Sequence, residues 1–90
     1  MGVEERTQVV VEFNQSAFKH GCTEADIRNA IGTWLYDDVW DTVTDKHLII
    51  GFDTQGNLLE IMYNIKGGET LNVFHAMKCR NTYLRLLAPR

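Results

Sequence analysis

The spacing of apolar positions along the chain changes character twice. TQVVVEF, residues 7–13, is short and β-branched and predicts a first strand. Asn14 or Ser16 can then cap a brief helix through Ala17-Phe18-Lys19-His20, which Gly21 would end in a left-handed conformation. A second helix starts at Thr23, whose hydroxyl can accept from the backbone near Asp26, with Glu24 and Asp26 placed where the helix dipole favours negative charge. Ile27, Ala30, Ile31 and Trp34 follow at i, i+3, i+4 and i+7, an apolar stripe that leaves Arg28 and Asn29 to one side and puts Trp34 in the core.

After Trp34 the period becomes two. LYDDVW, residues 35–40, reads as a strand with an acidic stretch attached, and HLIIGFD, residues 47–53, as a second. TQGN is a hairpin turn with Gly56 supplying positive φ. LLEIMYNI, residues 58–65, sets Leu59, Ile61, Tyr63 and Ile65 on one face and Leu58, Glu60, Met62 and Asn64 on the other. KGGE turns the chain into LNVFHAM, residues 71–77. KCRNTYLRLL then returns to helical spacing until Pro89. Strands segregated from helices predict an α+β fold over residues 1–90 as a single domain. Its expected form is an antiparallel β-meander packed against two N-terminal helices and one C-terminal helix.

Composition narrows the class without naming a chemistry. With 44% apolar and 23% charged residues the chain is an ordinary globular one. No apolar run reaches the ~18 residues that span a bilayer, and MGVEERTQ lacks the basic-then-apolar order of a signal peptide. A cytoplasmic protein with no membrane association is therefore expected. Cys22 and Cys79 show no CxxC spacing, which predicts two reduced, half-buried thiols. The three histidines and the carboxylates have no ligand spacing, so no metal and no cofactor is expected. P-loop, GxGxxG and GxSxG motifs are absent, and classical nucleotide and serine chemistries are unsupported.

Charge changes the picture more. The formal net charge of −3 hides a split: all 12 carboxylates fall in residues 1–72, whereas residues 73–90 hold Lys78, Arg80, Arg85 and Arg90 and no acid. Either this basic tail engages something anionic, or it packs against its own acidic body. On a helix begun at Met77, Lys78, Thr82 and Arg85 share one face, Tyr83, Leu84 and Leu87 face the core, and Arg80 sits at the seam. Cations in a last helix also complement its dipole. Arginine adds a planar fork for phosphate oxygens and lysine a point charge.

His75 lies near the end of the last strand, read as sharing a face with Leu71 and Val73, where working side chains are commonly displayed. Imidazole is the side chain suited to proton transfer near neutrality. His20, beside Lys19, can cap the short helix or act chemically. His47, at a strand start, is expected to be exposed. Trp40, flanked by Asp37, Asp38, Asp41 and Asp45, could meet a cationic partner or lie in a solvated, self-paired loop.

Taken together, FKHGCTEADIRNAI, HLIIGFDTQGNLLEIMYNI and VFHAMKCRNTYL resemble, in order and spacing, the BrnT-like toxins of bacterial type II toxin–antitoxin modules, within the RelE-like small ribonucleases. The resemblance runs from about residue 11 to residue 87. It implies an RNA-cleaving toxin fold neutralised by an antitoxin protein, of ribbon-helix-helix type. Carried across, Lys19 and His20 fill the KHG positions, and Lys78 and Arg80 fill basic positions after the last strand. Where the family's last strand ends in a Ser-Ala-Arg-like run, this chain has His75-Ala76-Met77. The implied roles are proton transfer by His75 or His20 and phosphate stabilisation by Lys78 and Arg80, with Lys19, Tyr83 and Arg85 along the RNA and no metal. Two rivals stand beside this: an inactive relative serving as a protein-binding module, and a salt-sensitive homodimer joining acidic body to basic tail.

Overall fold

Five strands form one mixed sheet in the computed structural model, which describes residues 9–88. They are β1 (Val10–Phe13), β2 (Tyr36–Asp41), β3 (Lys46–Phe52), β4 (Leu58–Lys66) and β5 (Thr70–Lys78), ordered β1-β5-β4-β3-β2. β2 to β5 make the expected antiparallel meander, and β1 adds to β5 in parallel. Residues 7 and 8 of the expected first strand lie outside the described residues.

The helix α1 (Glu24–Gly32) owes its start to a capping box. Thr23 Oγ1 accepts from Asp26 N–H at 3.1 Å, and the Asp26 carboxylate accepts from Thr23 N–H at 3.3 Å. Ile27 and Ala30 are fully buried. The helix closes at Gly32 because Thr33 turns the chain into the sheet: its hydroxyl donates to Asn29 C=O at 2.8 Å and accepts from Phe52 N–H at 3.0 Å. Trp34 therefore lies beyond the helix and is 57% exposed, not in the core. The apolar stripe of the helix ends with Ile31.

The other two expected helices are shorter than their spacing implied. The segment before Gly21 forms a 3-10 turn, Gln15–Phe18, capped by Asn14, whose side chain accepts from Ser16 N–H at 3.0 Å. At the far end α2 spans only Asn81–Leu84, followed by a 3-10 turn at Arg85–Leu87. Met77 and Lys78, expected to start that helix, are instead held in the sheet opposite Glu60 and Leu59. Ladder hydrogen bonds there outcompete helical spacing. Tyr83, Leu84 and Leu87 are half-buried, as the helical reading required.

One sheet face packs on α1 and the 3-10 turn, around Ala17, Ile27, Ala30, Ile49, Leu59, Ile61, Tyr63, Val73 and Ala76. Gly51 makes this contact possible: a Cβ there would meet the Ala30 carbonyl oxygen at 2.0 Å. His47 is half-buried at this layer's edge rather than exposed. Its Nε2 lies 2.8 Å from Asp45, and its ring stacks on Tyr63 at 4.7 Å. Tyr63 donates its hydroxyl to Asp37 at 2.8 Å, and burial together with this acceptor pushes the phenol above its ordinary value.

The opposite face carries Leu48, Ile50, Glu60, Met62 and His75, and the closing segment lies over it, with Tyr83 meeting Trp40 of β2. A register shift decides where His75 points. Tyr63 pairs with Val73 but Met62 pairs with His75, so Phe74 is the extra residue of a bulge. Val73 stays in the α1-side core, whereas His75 turns to the face of Met62 and Glu60, opposite to the one its spacing from Val73 predicted.

Candidate active site

Glu60, with no exposed surface, sits within the otherwise apolar β4. Its carboxylate is the hub of the site. Oε1 accepts from the Arg80 backbone N–H at 2.9 Å and from Arg80 Nε at 3.1 Å. Oε2 accepts from Arg80 Nε at 3.1 Å, Arg80 Nη2 at 2.6 Å and His75 Nε2 at 2.8 Å. Burial pushes the Glu60 carboxyl up, but the hydrogen bonds from Arg80 and His75 and the guanidinium charge outweigh it, and its pKa falls below the ordinary 4.5. The group is therefore ionised at neutral pH.

That ionisation fixes the imidazole. A carboxylate only accepts, so His75 Nε2 carries the hydrogen and, in the neutral ring, Nδ1 is the basic nitrogen. The site thus holds an imidazole whose tautomer is set by a buried acid, next to a guanidinium locked by the same acid. Arg80 spends Nε and Nη2 on Glu60 and remains 53% exposed, leaving Nη1 outside these bonds.

His20 arrives from the other direction. β1 covers β5 only as far as Val73, and beyond it Asn14 N–H donates to Val73 C=O while Ser16 Oγ donates to Phe74 C=O. The 3-10 turn so tied to the strand edge brings the His20 ring edge-on to His75, with centroids 5.7 Å apart. Lys78, opposite Leu59, belongs to the α1-side face. It lines a groove of about 230 Å³ with His20, Gly21, Cys22, Asp26, Asp53 and Asn57. His20 therefore stands between His75 and the Lys78 groove. Asp26, on the groove's rim, is held down to a pKa of about 2 by hydrogen bonds from Thr54 and Thr23. Cys22 and Cys79 are free and half-buried, with burial pushing both thiols up.

Of the residues singled out by sequence, His20, His75, Arg80 and Tyr83 come together, and Lys78 joins them through His20. Tyr83 lies under the Arg80 guanidinium, 5.4 Å from its carbon, and meets the Trp40 ring at 5.2 Å. Lys19 and Arg85 are exposed and stay outside the hydrogen bonds to Glu60. Glu60 was missed as a functional group, though an acid in the middle of LLEIMYNI was a visible signal of a paired, buried charge. Trp40, for which the sequence leaves a cationic partner or a solvated, self-paired loop open, lies in β2 against Tyr83. Among the described residues no three His, Cys, Asp or Glu side chains converge as a metal site would.

Fold and cluster define a small α+β protein whose sheet end presents an imidazole, a guanidinium and a carboxylate in one hydrogen-bonded group. No protein-family model matches the chain, and no curated relative matches it by sequence. By structure it is similar to BrnT, a ribonuclease toxin of Brucella abortus, with a TM-score of 0.59 at 20% identity over 81% of this chain and 99% of that one. The fold implied by the sequence resemblance is the fold observed. No helix among the described residues is long and apolar enough to cross a membrane.

Proposed function

We propose that the chain is the toxin of a toxin–antitoxin module and that it cleaves RNA without a metal. The observation that carries this reading is the His75–Glu60–Arg80 group at the strand–helix junction, on a fold shared with a ribonuclease toxin. His75 Nδ1 takes the proton of a ribose 2′-hydroxyl, and the freed oxygen attacks the adjacent phosphorus. The bond from phosphorus to the 5′-oxygen breaks, and that oxygen takes a proton from His20, leaving a 2′,3′-cyclic phosphate and a 5′-hydroxyl. Glu60 stabilises the imidazolium that forms, and Arg80 and Lys78 stabilise the charge developing on the phosphate. Lys19, Tyr83 and Arg85 extend the contact along the strand. The protein acts in the cytoplasm and is neutralised by an antitoxin of ribbon-helix-helix type.

A second reading has its own observation. Arg80 is committed to Glu60 by three side-chain hydrogen bonds, an arrangement that also suits a docking module without chemistry, monomeric or paired as a homodimer. One experiment separates them. The protein is expressed by induction in a bacterial host lacking an antitoxin, beside His75→Ala and Arg80→Ala, while growth and total RNA are followed. Growth arrest with RNA loss, relieved in both folded variants, is the outcome expected of the toxin. Normal growth with abundant folded protein would discard it in favour of the docking module.

A further inference from the structure

Trp40 is 43% exposed, although the closing segment lies beside it and could have covered it. Its position is built rather than incidental. The β2–β3 register shifts between Val39 and Asp41, a bulge located at Trp40, and bulges serve to re-aim a side chain. The ring is met at its edge by Tyr83 at 87°, and Tyr83 lies under the guanidinium that Glu60 holds. A chain of contacts thus runs from a half-open indole to the catalytic arginine. The charges on either side differ: Asp38 and the Asp41–Lys46 pair lie beside Trp40, Asp37 being turned to Tyr63 on the other face, whereas Arg80 lies beyond Tyr83. Phosphates are repelled from the first side and drawn to the second, while an uncharged aromatic surface is accepted over the indole.

We infer that Trp40 is a stacking platform for an unpaired RNA base next to the scissile phosphate, with Tyr83 bracing its ring. The inference rests on the ribonuclease reading and extends it to a substrate class, single-stranded RNA. A base within a duplex has both faces covered by its neighbours, and only an unstacked base can lie on a protein ring. The acidic flank fixes the polarity, base over Trp40 and phosphate toward Arg80.

The test uses Trp34→Phe protein, in which Trp40 alone reports by indole fluorescence. It is titrated with a mixed-sequence 2′-O-methyl RNA, which cannot supply the attacking hydroxyl, as a single strand and annealed to its complement. Quenching by the single strand is expected, with the duplex bound on the order of tenfold more weakly. Trp40→Ala should lose on the order of tenfold in single-strand affinity by anisotropy of a labelled strand, and Trp40→Phe clearly less. Single-strand binding that leaves Trp40 emission and the Trp40→Ala affinity unchanged overturns the platform, as does the absence of any binding. RNA cleavage with an unchanged KM in Trp40→Ala would overturn it while leaving the ribonuclease reading intact. Quenching without cleavage of any RNA would defeat the ribonuclease reading and overturn the platform's place beside a scissile phosphate, leaving Trp40 as a base-binding ring alone.

Discussion

His75 and Glu60 face each other across β5 and β4, 2.8 Å apart, with the hydrogen on the histidine nitrogen because the buried carboxylate can only accept. Their positions are not directly opposite in register: Glu60 pairs with Met77 and Met62 with His75. The two side chains therefore lean toward one another along the strand, and the bulge at Phe74 places His75 on the face where this is possible.

If this pair is a base and its orienting acid, its two members fail differently. His75→Ala should lower RNA cleavage by about 10²–10⁴-fold, the usual worth of a positioned base. Glu60→Gln keeps shape and a hydrogen-bond acceptor but no longer stabilises the imidazolium, so kcat should fall while KM changes little. Steady-state cleavage of a labelled RNA separates the two.

Removal of Arg80 and removal of its acceptor should be unequal in stability. Arg80→Met leaves the Glu60 carboxylate out of water without its counter-charge, which costs roughly 3 kcal/mol for a buried carboxylate. Glu60→Gln leaves a guanidinium that is already half in water and can turn outward, so its cost is smaller. Urea unfolding of both variants gives the ranking, and the reverse order would contradict the buried-hub geometry.

Acid should unfold the protein through the same groups. Glu60 has a folded pKa below its ordinary 4.5, so its contribution is complete above that value and is lost as pH falls through the folded one. Asp26 behaves alike, with its window running from the ordinary 3.8 down to about 2. Asp26→Asn should therefore flatten the fall of stability between pH 4 and pH 2, measured by thermal melts across that range.

Two glycines offer a control on the fold itself. Gly51→Ala drives a methyl into the Ala30 carbonyl and should cost at least about 3 kcal/mol. Gly32→Ala, at the end of α1, meets nothing within 4 Å and should be neutral or stabilise by up to about 1 kcal/mol. Chemical denaturation of both variants checks the pair.

Much of the architecture could be read from the sequence because period and punctuation agreed. Leu59, Ile61 and Tyr63 alternate and form one core face, and Thr23 with Asp26 marks a helix start that the capping box realises. The misreadings share a cause: local spacing extrapolated past a point where tertiary bonds took over. Trp34 continues the α1 stripe on paper, but Thr33 bonds to Asn29 and Phe52 end the helix before it. Met77 suits a helix, yet it completes the β4–β5 ladder opposite Glu60. His75 was assigned to the wrong face because a bulge adds a residue to the count without any sequence mark at Phe74. His47 looked like a strand-end surface residue, since nothing local reveals that Asp45 and Tyr63 enclose it. The candidate site was legible as far as its cations and histidines, whose residue types mark them in the sequence. Its hub was not, because the role of Glu60 comes from what two distant segments bring to it.

The parallel pairing of β1 with β5 bears on how such a protein is made. Among the described strands β1 emerges first in synthesis, and its neighbour in the sheet, β5, emerges last. Contacts between such distant segments form late and slowly. β5 also carries His75, and Arg80 and Tyr83 follow it, so the strand that completes the sheet delivers the cluster in the same step. A nascent chain halted before Thr70 would lack a partner for β1 and every site residue beyond Glu60. An unfinished copy would thus hold neither a complete sheet nor the His75–Glu60–Arg80 cluster, and the two would appear together.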